Sequence, residues 1–166
     1  MKFKKGQIAG QVFIFILAAF LAVLIIGYGY RAISSFTSRT EDIALADFKT
    51  TLQGKVRTIA SSHDVRKLEL RVPGKYEEVC FVDLGKRELA AGSCLCDLDC
   101  RDYSPEVCDA WMTEGYEYNV FLIPITPIKA AEMEIDGGYF CIEPEGGRIS
   151  LRLEGKGNRT NVSEWE

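Results

Sequence analysis

Cysteine is the residue type with the most chemistry to offer in this 166-residue chain. Cys94, Cys96, Cys100 and Cys108 crowd into one stretch, CLCDLDCRDYSPEVC, and Cys80 and Cys141 stand to either side. Three chemistries compete for them. Four thiolates spaced Cys-x-Cys-x3-Cys-x7-Cys could hold zinc, although the two-residue gaps usual in structural zinc sites are missing. Cys94 and Cys96 could form a redox pair, but Asp97 and Asp99 beside them oppose thiolate formation. Disulfides suit the set best. The number is even, the stretch has little apolar surface to bury, and such a segment gains most from crosslinks. Six cysteines allow 15 connectivities. Cys80 and Cys141 both fall on expected strands, so a bridge between those two is expected.

Other reactive patterns are sparse. Two N-x-S/T sequons, Asn158-Arg-Thr160 and Asn161-Val-Ser163, mark Asn158 and Asn161 as glycosylation candidates. Glu132, Glu134 and Asp136 alternate, which suits a solvated face better than a calcium site. His63, the single histidine, follows a helical stretch, where a cation complements the helix dipole. The sequence has no nucleophile elbow, phosphate loop or helical metalloprotease motif, so neither an enzyme nor a cofactor is expected. The net charge of −4 argues against nucleic acid as a partner, because phosphate binding needs a basic face.

The elements that must position these residues can be read from periodicity. Leu45, Phe48, Leu52, Val56 and Ile59 recur every three or four residues, giving one apolar face of a helix. Ser38 and Glu41 fit a capping box. A helix therefore starts near Ser38, or one long helix bends at the SSFTS stretch, and Ser61-Ser62-His63 ends it. Residues 66–72 and 77–84 read as strands flanking Pro73-Gly74, an expected hairpin. Residues 118–123 form a third strand, closed by Pro124 and Pro127, which suit an edge or a turn. Residues 139–143 and 148–153 form a second expected hairpin. Ser104-Pro105-Glu106 opens a short helix with Cys108, Trp111 and Met112 on its inward face. The polar segment after Gly155 reads as a loose tail.

The N-terminus sets the compartment. Residues 7–30 run QIAGQVFIFILAAFLAVLIIGYGY without a charge. As a helix this run is about 36 Å long, enough to cross a hydrocarbon core of roughly 30 Å. Lys2, Lys4 and Lys5 precede it, while Arg31, Glu41 and Asp42 follow, so the positive-inside rule keeps the N-terminus in the cytoplasm and the cysteines outside. Tyr28 and Tyr30 fall where an interfacial aromatic belt is expected. A buried core helix is disfavoured by the length and flanking charges. Conventional signal cleavage is disfavoured because the run is too long and because Gly27 and Gly29, the small residues spaced by a tyrosine at its end, sit against bulky neighbours.

At the join of the basic cluster with Gly6, Gln7 and the apolar run, the chain resembles a type IV prepilin, most closely the archaeal form with a class III signal peptide. The resemblance covers about residues 1–60. It implies that a prepilin-type membrane peptidase cuts between Gly6 and Gln7 and that the mature chain begins QIAGQVFIFIL. It also implies a long N-terminal helix whose second half packs under a sheet. Bacterial members usually carry a glutamate where this chain has Gln11. A glutamine there can contact a neighbouring subunit's amino terminus only through a neutral hydrogen bond.

The expected architecture is α+β: a long N-terminal transmembrane helix, then a small antiparallel β-sheet head with a disulfide-rich insertion. Its parts are a basic cytoplasmic leader (1–6), the transmembrane and amphipathic helix (7–62), an exterior head (63–155) and a polar tail (156–166). Loss of the leader would leave 17 basic against 24 acidic residues. Without those lysines the helix could leave the lipid, but only into contact with copies of itself or related pilins. The expected role is a pilin or minor pilin of an archaeal type IV pilus-like surface filament, with membrane lipid, the peptidase and other pilins as partners. The alternative is an uncleaved, single-pass, membrane-anchored exterior binding domain. A membrane-tethered thiol oxidoreductase is a weaker rival.

Overall fold

The computed structural model describes residues 7–165, with the backbone alone for residues 7–11 and 34–39. Gly6 and the three leader lysines lie outside the described residues, as do the side chains of Gln7, Gln11 and Ser38. A first helix, α1, runs Gln7–Ala60 without a break through the SSFTS stretch, so no new helix starts at Ser38. The chain divides into two units, Met1–Asp42 and Ile43–Glu166.

The described part of the first unit is helix. Its segment Val12–Ile33, 22 residues, is long and apolar enough to cross a bilayer, and none of it is buried among the described residues. Phe13, Phe15, Ile25 and Ile26 are each about two-thirds or more exposed, so the segment has no core of its own.

The second unit is a mixed α+β fold with eight strands: β1 (Val65–Arg71), β2 (Glu78–Val82), β3 (Val120–Ile123), β4 (Thr126–Ile128), β5 (Met133–Glu134), β6 (Tyr139–Ile142), β7 (Arg148–Gly155) and β8 (Thr160–Glu164). A short helix, α2, spans Pro105–Met112. The strands form two four-stranded sheets, ordered β1-β7-β8-β5 and β4-β3-β2-β6. All pairings are antiparallel except β5 with β8, which is parallel.

One core lies between the sheets. Leu68, Leu70, Ile149, Leu151, Leu153 and Val162 come from the first sheet, and Val79, Phe81, Val120 and Leu122 from the second. Phe48, Leu52, Val56 and Ile59 of α1 join them, with Leu45 at the margin, which is the apolar face read from the sequence. Close approach fixes one residue type at the helix exit. A methyl group at Gly155 would overlap the carbonyl oxygens of Ile59 and Ser62. The Gly155 amide donates to the Asp64 carbonyl (3.0 Å), tying β7 to the chain leaving α1.

Neither expected hairpin forms. β1 pairs with β7, and β2 pairs with β3 and β6. The Pro73-Gly74 turn carries the chain from one sheet to the other, with Tyr76 buried at the crossing. The second turn does close, through reciprocal bonds between Glu145 and Arg148, with Gly146 and Gly147 at φ 58° and 75°. Its flanking strands nevertheless diverge into different sheets. Alternation shows which face a strand buries but not which strand lies beside it.

The loose-tail expectation is also overturned. β8 pairs with β7 over five residues and buries Thr160 and Val162. Thr160 Oγ1 donates to the Val56 carbonyl of α1 at 2.7 Å. Beyond it, the Trp165 amide donates to the Ser150 carbonyl.

Candidate functional site

Helix α2 opens as its sequence suggests, with Pro105 in the first turn, although Ser104 makes no side-chain capping bond. Its buried residues are Val107, Ala110 and Trp111. Cys108 is half-buried and Met112 faces solvent, a correction to the expected inward trio. The offset is about one residue around the helix, and Trp111 sets it. Trp111 Nε1 donates to the Asp83 carbonyl at 2.9 Å, so its ring lies against the second sheet. Arg87 closes the far end. Its guanidinium donates to the carbonyls of Trp111, Thr113 and Tyr116, placing a cation where the helix leaves unpaired acceptors.

The second sheet is covered on both faces. Its outer side chains Cys80, Val82 and Phe121 form a second core with Ala90, Leu95, Val107, Ala110 and Trp111. Disulfides fasten this lobe. Cys80 and Cys141 face each other across β2 and β6 and are bonded, the pairing expected from their strands. Cys94 pairs with Cys100, and Cys96 with Cys108. All six sulfurs are therefore occupied, which leaves no thiolates for zinc and no Cys94–Cys96 redox pair. Ligand-type atoms of Glu78, Cys80 and Cys141 also cluster, but with both sulfurs bonded only one carboxylate is left to act.

Beside the lobe lies an open cleft of about 830 Å³. Glu77, Glu78, Asp102, Glu106 and Glu143 line it, with Arg101 the one cation among the described residues and Tyr103, Ile123 and Pro124 adding apolar surface. Burial raises the pKa of Glu78, and the nearby carboxylates of Asp102 and Glu143 raise it further, while Arg101 opposes them. Arg101 also pairs with Glu143 at 3.7 Å, both side chains largely in water. The arrangement favours a cationic visitor over an anionic one. Sequence reasoning missed this cleft because its members are scattered along the chain. One signal was available: Glu78 and Glu143 each stand two residues from a bridge cysteine, so pairing Cys80 with Cys141 brings like charges together.

The remaining candidates fall elsewhere. Glu134 lies 3.7 Å from Lys86, and Asp136 accepts a bond from Asn161, so two members of the acidic alternation have protein partners. His63 is exposed just past α1. Asn158 is exposed in the turn between β7 and β8, whereas Asn161 is half-buried within β8.

Comparison of the chain with protein families, curated proteins and solved structures finds no match.

Proposed function

We propose that the protein is a structural subunit, a pilin or minor pilin, of an archaeal type IV pilus-like surface filament, and not an enzyme. One observation carries this reading. Val12–Ile33 is an apolar helix, none of it buried among the described residues, while the core of the second unit is built from that unit's own residues. Apolar surface left in water costs about 25 cal/mol per Å², which over such a helix sums to tens of kcal/mol. Lipid can cover it first and sister helices afterwards. A cut between Gly6 and Gln7 removes the charges that hold the helix at the inner face. The three disulfides suit a head outside the cell, where thiols stay oxidised.

The acidic cleft supports the second reading, an uncut helix anchoring an exterior domain that binds a basic ligand. Intact-mass measurement of the native protein separates the two. A chain beginning at Gln7 supports the filament subunit. A chain retaining Met1 sinks it and leaves the anchored binding domain.

A further inference from the structure

The two sequons lie three residues apart, yet the fold treats them differently. The β7–β8 connection is a four-residue turn, residues 156–159, closed by the Lys156 amide donating to the Arg159 carbonyl at 2.8 Å. Gly157 supplies the left-handed backbone at φ 91°. All four residues are exposed, and Asn158 stands at the tip. Asn161 sits in β8 between Glu154 of β7 and Glu134 of β5. Its Nδ2 donates to Asp136 Oδ2 at 3.1 Å, and its Oδ1 is buried.

From this geometry we infer that in the folded head Asn158 carries an N-linked glycan and Asn161 does not. The inference rests on the outward-facing head proposed above. The donor is an oligosaccharide on a polyprenyl phosphate or diphosphate, and a membrane oligosaccharyltransferase is the catalyst. Asn158 Nδ2 bonds to the anomeric carbon and gives up one proton. The bond from that carbon to the lipid phosphate oxygen breaks, and the lipid phosphate leaves with the electron pair, so nothing is oxidised or reduced.

The fold also sets the order of events. The transferase reads the asparagine together with the hydroxyl two residues on. In the folded head that hydroxyl, Thr160 Oγ1, is fully buried against the Val56 carbonyl. Transfer therefore precedes the docking of β8, the last strand in chain order. A glycan already on Asn158 stays at the turn tip and leaves every β7–β8 pair intact. A glycan on Asn161 Nδ2 would occupy the place of the Asp136 carboxylate and keep β8 from seating.

The test is cell-free synthesis of the full chain with microsomes that contain the transferase and its lipid-linked donor. Added protease reports whether the head has crossed the membrane, and glycosidase-sensitive gel shifts report the glycans. The expected result is a protease-protected head that still resists limited proteolysis after detergent lysis, and is therefore folded, with one glycan, lost in Asn158→Gln and kept in Ser163→Ala. Ser163→Ala removes the second sequon while leaving Asn161 and its bond to Asp136 in place. A protected head that carries no glycan, or a folded one, resistant to limited proteolysis after lysis, whose glycan persists in Asn158→Gln, overturns the inference alone. An unprotected head overturns the exterior reading and the inference with it.

Discussion

The three disulfides close loops of very different length, and this makes a graded prediction. Sequence separations are 61 for Cys80–Cys141, 12 for Cys96–Cys108 and 6 for Cys94–Cys100. If a crosslink acts by restricting the unfolded chain, the contributions are about 4.3, 2.8 and 2.2 kcal/mol at 25 °C in the same order. The two inner bridges lie within the long loop and shorten it when intact. Loop entropy grows only logarithmically, so this lowers the largest figure by a few tenths of a kcal/mol. Cys80 is fully buried, and replacing it by alanine leaves a small void that acts in the same direction. The paired variants Cys80→Ala/Cys141→Ala, Cys96→Ala/Cys108→Ala and Cys94→Ala/Cys100→Ala should therefore lose stability in that descending order. Equilibrium denaturant unfolding of the full chain in mild detergent measures it, with buried Trp111 as the fluorescent reporter. Exposed Trp165 contributes a signal less sensitive to unfolding. A larger loss from the Cys94–Cys100 pair than from Cys80–Cys141 would refute the reasoning.

Further expectations concern single side chains in the same unit. Gly155→Ala should cost at least ~3 kcal/mol, the top of the usual overpacking range, because the added methyl meets backbone carbonyls on both sides; thermal unfolding checks it. Asn119, buried, accepts from the Ala130 amide and donates to the Ala131 carbonyl, so Asn119→Ala should cost about 2–3 kcal/mol in the same assay. Glu78 has a raised pKa, so the folded state holds its proton more tightly than the unfolded state, and stability falls as pH rises through the folded value. Glu78→Gln should match the native chain below the carboxylate range and exceed its stability at neutral pH. The gain should stay under ~1 kcal/mol, since the group is only half-buried and solvent screens the neighbouring charges. Equal stability of the two proteins at both pH values would count against the burial of Glu78 and the crowding of carboxylates around it.

Local patterns proved legible, and partnerships did not. The helix face from Leu45 to Ile59 follows from spacing alone, because a 3.6-residue period has one solution. The Cys80–Cys141 bridge followed from placing each cysteine on a strand. The two-sheet architecture had a signal that was easy to pass over. Val79-Cys80-Phe81-Val82 is continuously apolar, as befits a strand covered on both faces, whereas Leu68, Leu70 and Val72 alternate with charged residues. β8 was hidden by its composition. Thr160 and Val162 point inward at strand spacing, but Arg159, Asn161 and Ser163 around them read as a loop. β5 is two residues long and pairs in parallel, which no local pattern announces. The acidic cleft joins residues 77 to 143, and only tertiary pairing makes it a site.

The central claim is that Val12–Ile33, unburied among the described residues, needs a cover from lipid or from other chains. Sedimentation of the purified full-length chain after detergent removal tests it most directly. Large assemblies or a pellet, returned to small particles by fresh detergent, are the expected result. A monomer that stays freely dissolved in plain buffer would contradict the account.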